Sequence, residues 1–421
     1  MRSLKNFLGA IDITNEVLDD LIFMLQNRAK STYFTRNPVM GFKELILFSI
    51  NLVKKSLQLE LDDFFKVIEG GDDSIRKQSY SEARLKILPE AFSVLFYHVV
   101  KWFYNDDSHK KYRGYRLSAI DGSNLEINNS ELLRNEFGTQ GNHLSKVARA
   151  LASGIYDIEN DKMIAATIRN CKVGEREIAI ELIDKMKEMG LKNDLILFDR
   201  GYPSKDFISF IEQKKIKYLM RVSLSFKSLV NVEGEDQIVE LKINKETLKV
   251  RVLKFPLESG VTEILITNIF DETFSISDFK QLYFKRWGIE VKYNEIKNRL
   301  EIENFTGETP ISIKQDFYAT IYLSNMVALA KMDANAIINE KNKGKNLKYE
   351  YKVNTNILIG KLKNSLVSML LEKSSRKRSK LLKKIMEQIS RNIIPIRPGR
   401  SFVRRMTLRA NKHPLNKKKA L

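Results

Sequence analysis

Apolar residues recur at three- and four-residue spacing through VLDDLIFMLQNRA, FKELILFSINLVKKSLQLELDDFFKVI and SEARLKILPEAFSVLFYHVVKWF, the period of helices with one buried face. The pattern predicts an all-α N-terminal domain of about four helices over residues 1–105. The polar stretch FYNDDSHKKYRG interrupts it, with charge and Gly marking a linker.

From Tyr115 the texture changes to short strands: YRLSAIDGSNLEI, SKVARALASGIYDIE and KMIAATIRNC. A helix, GEREIAIELIDKMKEMG, ends at Gly190 and precedes a buried strand, LILFD; a short helix from near Ser204 and the strand IKYLMRVSL come next. Three strands, a helix, a strand, a helix and a strand is the order of an α/β, ribonuclease H-like domain, expected here over 115–330. Within it, residues 223–270 carry only strand-like runs (QIVELKI, LKVRVLKF, TEILITNI) and read as a β-rich insertion without helix. A helix from about Ser277, the long helix IKQDFYATIYLSNMVALAKMDANAIIN and a basic helical region over 331–421 complete the chain.

Charge narrows the choice of partner. Lys and Arg number 72 against 52 Asp and Glu, a net +20, which favours a polyanion through counterion release, nucleic acid ahead of an anionic membrane. Residues 372–421 hold 17 of those cations against two acids, Glu372 and Glu387, so the tail is the basic arm. The single Cys171 excludes an internal disulfide, and His98, His109, His143 and His413 lack zinc-ligand spacing. Any metal must therefore sit on oxygen. The start MRSLKNFLGAIDIT has no apolar signal core, and no apolar run spans a bilayer, so a cytoplasmic location is expected.

Candidate chemistry begins at YFKRWGIEVKYNEIK, residues 283–297. Projected as one helix at 100° per residue, Tyr283, Arg286, Glu290 and Lys297 fall in a stripe ~60° wide. Phe284, Trp287 and Val291 flank it on one side; Ile289, Tyr293, Ile296 and Leu300 flank it on the other. The projection assigns Lys285, Gly288, Lys292, Glu295 and Arg299 to solvent, makes Lys292 dispensable and gives Trp287 to the core. Charges within the apolar half need partners, metal or substrate; a buried Arg286–Glu290 pair tying the helix to the sheet meets the same need.

Two more acids sit at strand positions, Asp121 in YRLSAIDGSNLEI and Asp199 at the end of LILFD. Each alone reads equally as a turn residue. Together with Glu290, and with no His or Cys nearby, they supply what an all-oxygen Mg²⁺ or Mn²⁺ site requires. Two such ions ~3.5 to 4 Å apart serve an in-line phosphoryl transfer.

Tyr283, Arg286, Glu290 and Lys297 reproduce the spacing Y-x2-R-x3-E-x6-K and resemble the YREK signature of the insertion-sequence-4-like family of bacterial DDE transposases. AIDGSNLE resembles that family's first-Asp segment, LFDRGYPS its second, and ENFTG is similar to the segment after its Glu. The resemblance spans about residues 20–330. It implies that Asp121, Asp199 and Glu290 are the metal-binding catalytic triad, with two Mg²⁺ (or Mn²⁺) ions. It further implies that Tyr283, Arg286 and Lys297 hold phosphates of the transposon end. Implied too is a magnesium-dependent enzyme that cleaves double-stranded DNA at terminal inverted repeats and transfers the 3′-OH into target DNA. The partners would be those DNAs and a second protomer, with no membrane, in the cytoplasm at the nucleoid. The helices over 1–105 would bind DNA ends, and 331–421 would bind DNA or dimerise. Arg200 and Arg221 are further DNA-contact candidates, and His143 reads as a surface-loop residue. A ribonuclease H-like nuclease without strand transfer and a non-catalytic, domesticated DNA-binding protein share the same acids and charge.

Overall fold

The computed structural model describes residues 5–397 except 37, 52, 54, 69–73, 143–144, 244–245, 258–259 and 364. His143, His413 and the end of the basic tail lie outside the described residues.

Among the described residues six helices open the chain where the pattern predicts about four: α1 (Lys5–Asp19), α2 (Leu21–Asn27), α3 (Phe42–Ser49), α4 (Leu57–Ile68), α5 (Lys77–Arg84) and α6 (Glu90–Tyr104). Strand β1 (Arg116–Glu126) is next, then α7 (Glu131–Phe137), β2 (Thr139–Asn142), β3 (Ser145–Asp157) and β4 (Lys162–Asn170). The pair α7 and β2 is absent from the sequence pattern, being too short to show a period; Ser130 caps α7 by accepting the Leu133 N–H. Next come α8 (Glu175–Glu188), β5 (Asp194–Phe198), α9 (Lys205–Gln213), β6 (Lys217–Arg221), α10 (Lys227–Val230), β7 (Asp236–Ile243), β8 (Glu246–Pro256) and β9 (Thr262–Thr267). The short α10 corrects the expectation of a helix-free segment there. The remainder is α11 (Ile276–Phe284), α12 (Trp287–Asn298), α13 (Pro310–Asn342), β10 (Glu350–Val353), α14 (Thr355–Lys363), α15 (Leu366–Leu371), α16 (Ser375–Ile389) and β11 (Ile393–Ile396).

The chain divides into two compact units, and the division cuts across linear order. A helical unit takes residues up to 106, 126–148 and from 295 onward; an α/β unit takes 107–125 and 149–294. In the helical unit α13 packs on α1 and α6. Its start is set by Thr309, which caps Ser312 in a reciprocal box with Pro310 at the first turn. Asp333 accepts from the Asn6 side-chain Nδ2 at 2.8 Å and from the Phe7 backbone N–H at 2.9 Å, giving one of the first backbone donors of α1 a partner it lacks within the helix. The apolar run in α13 is thus core. Among the described residues no helix is long and apolar enough to cross a membrane.

The α/β unit is built on a mixed sheet in the order β4-β3-β1-β5-β6-β9-β8-β7. β1, β5 and β6 run parallel, whereas β6, β9, β8 and β7 alternate in direction. The strands at 236–267 therefore continue this sheet. Every residue of β5 is buried, as expected of a central parallel strand. The outermost β7 keeps Asp236, Glu240 and Lys242 in its run, charges of the kind that discourage pairing of an open edge.

Candidate active site

Register brings the two aspartates side by side. Ala119 of β1 pairs with Leu197 of β5. Two residues further along each segment, on the same face, stand Asp121 within β1 and Asp199 just past β5. The register is pinned at the opposite end, where Arg116 pairs with Asp194: Arg116 Nε donates to Asp194 Oδ1 at 2.9 Å, with both side chains buried. Lys187 adds a contact to Asp194 Oδ2 at 3.4 Å. A one-residue slip would strand buried charges, so this pair specifies the register. Backbone donors then hold each carboxylate, with Gly122 N–H to Asp121 Oδ1 at 2.9 Å and Arg200 N–H to Asp199 Oδ1 at 2.8 Å.

The third acid arrives from α12. Arg286 Nη2 donates to Glu290 Oε1 at 2.9 Å, while Nη1 lies 3.5 Å from Asp121 Oδ2. Tyr283 Oη reaches Asp199 Oδ1 at 3.4 Å, and Tyr293 Oη donates to the Asp121 carbonyl at 3.1 Å. Asp121, Asp199, Glu290, Tyr283 and Arg286, singled out in the sequence, are thus gathered at one end of this sheet.

A break in the helix shapes this gathering. Residues 283–297 are not one helix: α11 ends at Phe284 and α12 starts at Trp287. Across the junction the N–H groups of Lys285, Arg286, Gly288 and Ile289 bond three residues back. Turns of that kind advance about 120° per residue instead of 100°, so α12 is rotated by roughly 60–80° from the straight projection. The consequences correct the projection. Lys292, assigned to solvent, is buried and its Nζ lies 3.1 Å from Asp161. Trp287, assigned to the core, is 47% exposed, and Phe284 and Val291 are exposed.

Electrostatics follow from burial. Burial pushes the Asp121 carboxyl up to about 6; the Gly122 N–H and Arg286 oppose this, and Glu175 and Glu290 add to it. Burial, reinforced by Asp199, raises the Tyr283 phenol, which therefore keeps its proton. Desolvation of Arg286 is outweighed by Tyr283, Asp199, Asp121 and Glu290, so its guanidinium stays charged.

The remaining candidates separate. Lys297 falls in the helical unit, 3.4 Å from Glu303. Arg221 ends β6 and lies 3.5 Å from Glu263. Arg221 and Glu263 line a cleft of about 850 Å³ with Phe255, Lys280, Tyr283 and Trp287. Arg200 is exposed on the turn after Asp199. Sequence reasoning missed Glu175, at the first position of α8; for Tyr202 it offered a DNA contact or the strand-exit turn, and the side chain is buried. Only the Gly-Glu opening of a helix before β5 hinted at Glu175.

Among the described residues no three acidic, His or Cys side chains are drawn together tightly enough for a common ion; between Asp121 and Glu290 stands the Arg286 guanidinium. The donor set nonetheless fits a hard divalent cation: every donor is a carboxylate oxygen. Two buried polar atoms beside it, Tyr202 Oη and Arg286 Nε, have no hydrogen-bond partner among the described residues, which leaves both open to water or a bound group.

A family model described as a transposase DDE domain matches residues 112–326. The transposase InsG for insertion sequence element IS4 of Escherichia coli (strain K12) is 21% identical over 279 residues. That alignment covers 62% of this chain and spans 62% of the length of the relative. Among solved structures, the piggyBac transposase synaptic complex with hairpin DNA is 11% identical at a TM-score of 0.42, covering 95% of this chain and 86% of that one.

Proposed function

Since the chain belongs to the transposase DDE-domain family, we propose that it is a DNA transposase that cuts at the ends of an insertion sequence and joins the freed 3′-OH to target DNA. The catalytic core would be ribonuclease H-like. Asp121, Asp199 and Glu290 would hold divalent cations, Mg²⁺ or Mn²⁺, two ions at full occupancy. When bound, such ions polarise the scissile phosphate and offset charge on the attacking and leaving oxygens. The observation that carries this reading is the single guanidinium of Arg286 between a strand-borne and a helix-borne carboxylate, Asp121 and Glu290.

In cleavage, a water oxygen forms a bond to phosphorus as the bond to the 3′-oxygen breaks, leaving a 3′-OH and a 5′-phosphate. In joining, that 3′-OH attacks a target phosphodiester, so one P–O bond forms as another breaks. The chain's own groups position these steps. The protonated Tyr283 hydroxyl, which donates towards Asp199, would turn its one proton to a phosphate oxygen once Asp199 holds a cation, and Arg286 would offer a planar donor to the same anion. Arg200, Arg221 and Lys297 would contact DNA outside the scissile phosphate. The helices of 1–105 would recognise terminal inverted repeats, and the basic 331–421 would bind DNA or pair two protomers, since joining two ends calls for two active sites. Such a protein would act at the bacterial nucleoid, in the cytoplasm.

The test is Mg²⁺-dependent cleavage and strand transfer on the element's own ends, comparing wild type with Asp199→Ala and Glu290→Ala. Both variants are expected to bind the ends and to lose both steps. Full activity in either overturns the triad; cleavage without joining in the wild type makes the protein a nuclease.

A further inference from the structure

Glu175 opens α8 and aims its carboxylate back at the two aspartate segments. A Cβ built on Gly122, next to Asp121, would lie 3.3 Å from Glu175 Oε1; one built on Gly201, two residues past Asp199, would lie 3.6 Å from Oε2. The carboxylate therefore spans the gap between the two loops; a side chain at Gly122 would crowd it and one at Gly201 would touch it. Its neighbour fixes this position, since Arg176 Nε donates to the Gly201 carbonyl at 2.9 Å. A Glu at a helix start is ordinarily explained by the helix dipole. That account does not bring the head group over two glycines beside two other acids.

An independent feature lies beside these acids. Tyr202 is 1% exposed, and its hydroxyl has no hydrogen-bond partner. The charges around that hydroxyl are Glu175, Asp121 and Asp199. A buried hydroxyl without a partner is costly, and here it faces acids. Glu175 is exposed, and among the described residues its carboxylate has neither a hydrogen bond nor an ion pair. Arg286 offsets Asp121 and Glu290, whereas Glu175 adds a further acid to the same surroundings with no ion pair of its own among the described residues.

We infer that Glu175 is a fourth carboxylate of the divalent-cation site, and that Tyr202 donates its hydroxyl hydrogen bond within that site when the cation is bound. The inference rests on the assignment of Asp121 and Asp199 as cation-holding residues. In this arrangement α8 as well as α12 would contribute an acid to the site.

Mn²⁺ binding to the full chain, without DNA, tests this by electron paramagnetic resonance titration. Asp199→Asn should abolish binding, Glu175→Gln should weaken it about tenfold, and Tyr202→Phe about threefold. Glu177→Gln, on the same helical turn but touching neither glycine, should bind like wild type. Melting in EDTA provides the second readout: Glu175→Gln should melt at or above the wild-type temperature, because it removes repulsion. If Asp199→Asn loses Mn²⁺ while Glu175→Gln binds like wild type, Glu175 is no ligand and this inference falls while the proposed function stands. If Glu175→Gln lowers the melting temperature in EDTA and leaves Mn²⁺ affinity unchanged, the residue is only a helix-start charge. Wild-type binding by Asp121→Asn and Asp199→Asn alike would overturn the underlying assignment.

Discussion

Lys292 Nζ lies 3.1 Å from Asp161 Oδ1 with the lysine side chain only 1% exposed. Tyr156 Oη donates to the same oxygen at 3.0 Å. Removing the lysine takes its countercharge from the half-buried Asp161. Lys292→Gln is therefore expected to lower stability by about 1–3 kcal/mol, read as a fall in the denaturation midpoint, with little change in cleavage per folded molecule.

Asp121 gives a pH-dependent signal. Its folded-state pKa, about 6, exceeds the ordinary 3.8 of an aspartate, so the stability linked to its proton is fully present at low pH and is lost as pH rises through about 6. Asp121→Asn removes that penalty. In EDTA the variant should be more stable than wild type above pH 6, by about 1–3 kcal/mol, and the advantage should vanish near pH 4. Thermal melts across that range check it; added Mg²⁺ should stabilise the wild type and not the variant.

Arg286 holds Glu290 and approaches Asp121 through two different nitrogens. Lysine has a single ammonium and cannot reproduce that fork. Arg286→Lys should reduce end cleavage about 10- to 100-fold, with end binding weakened less. A rate ratio from single-turnover assays on one oligonucleotide end decides it.

The Arg116–Asp194 pair sets the strand register on which Asp121 and Asp199 meet. Arg116→Ala leaves a buried carboxylate with reduced compensation, an expected cost of about 3–5 kcal/mol. A double variant, Arg116→Leu with Asp194→Leu, should recover much of that stability. Equilibrium urea unfolding of the three chains tests both statements.

Gly9 in α1 faces Trp102 of α6: an added Cβ would sit 2.1 Å from the ring atom Cζ2. The indole is rigid, so the helices must part. Gly9→Ala should destabilise by about 1–3 kcal/mol despite alanine's better helix propensity, measured by the same unfolding experiment.

The sequence by itself determined the elements whose periods run long enough to read, α6, α8 and α13 among them, and it marked Asp121, Asp199, Tyr283, Arg286 and Glu290. Those residues stand out because a charge at an apolar position or a strand end breaks a local pattern. The junctions between elements needed the tertiary structure. The tighter turns at 285–289 rotate α12, so Lys292 went inside and Trp287 outside; a straight projection has no term for a junction. The grouping of the N-terminal helices with residues from 295 onward is likewise a matter of contacts between distant segments. Glu175 was silent for the same reason. Its meaning comes from two glycines, 53 positions before it and 26 after it in sequence, that the sheet and the turn after β5 bring within reach of one carboxylate. Local periodicity encodes which face of a segment is apolar, whereas the position of a side chain relative to distant backbone is fixed only once the strands are in register.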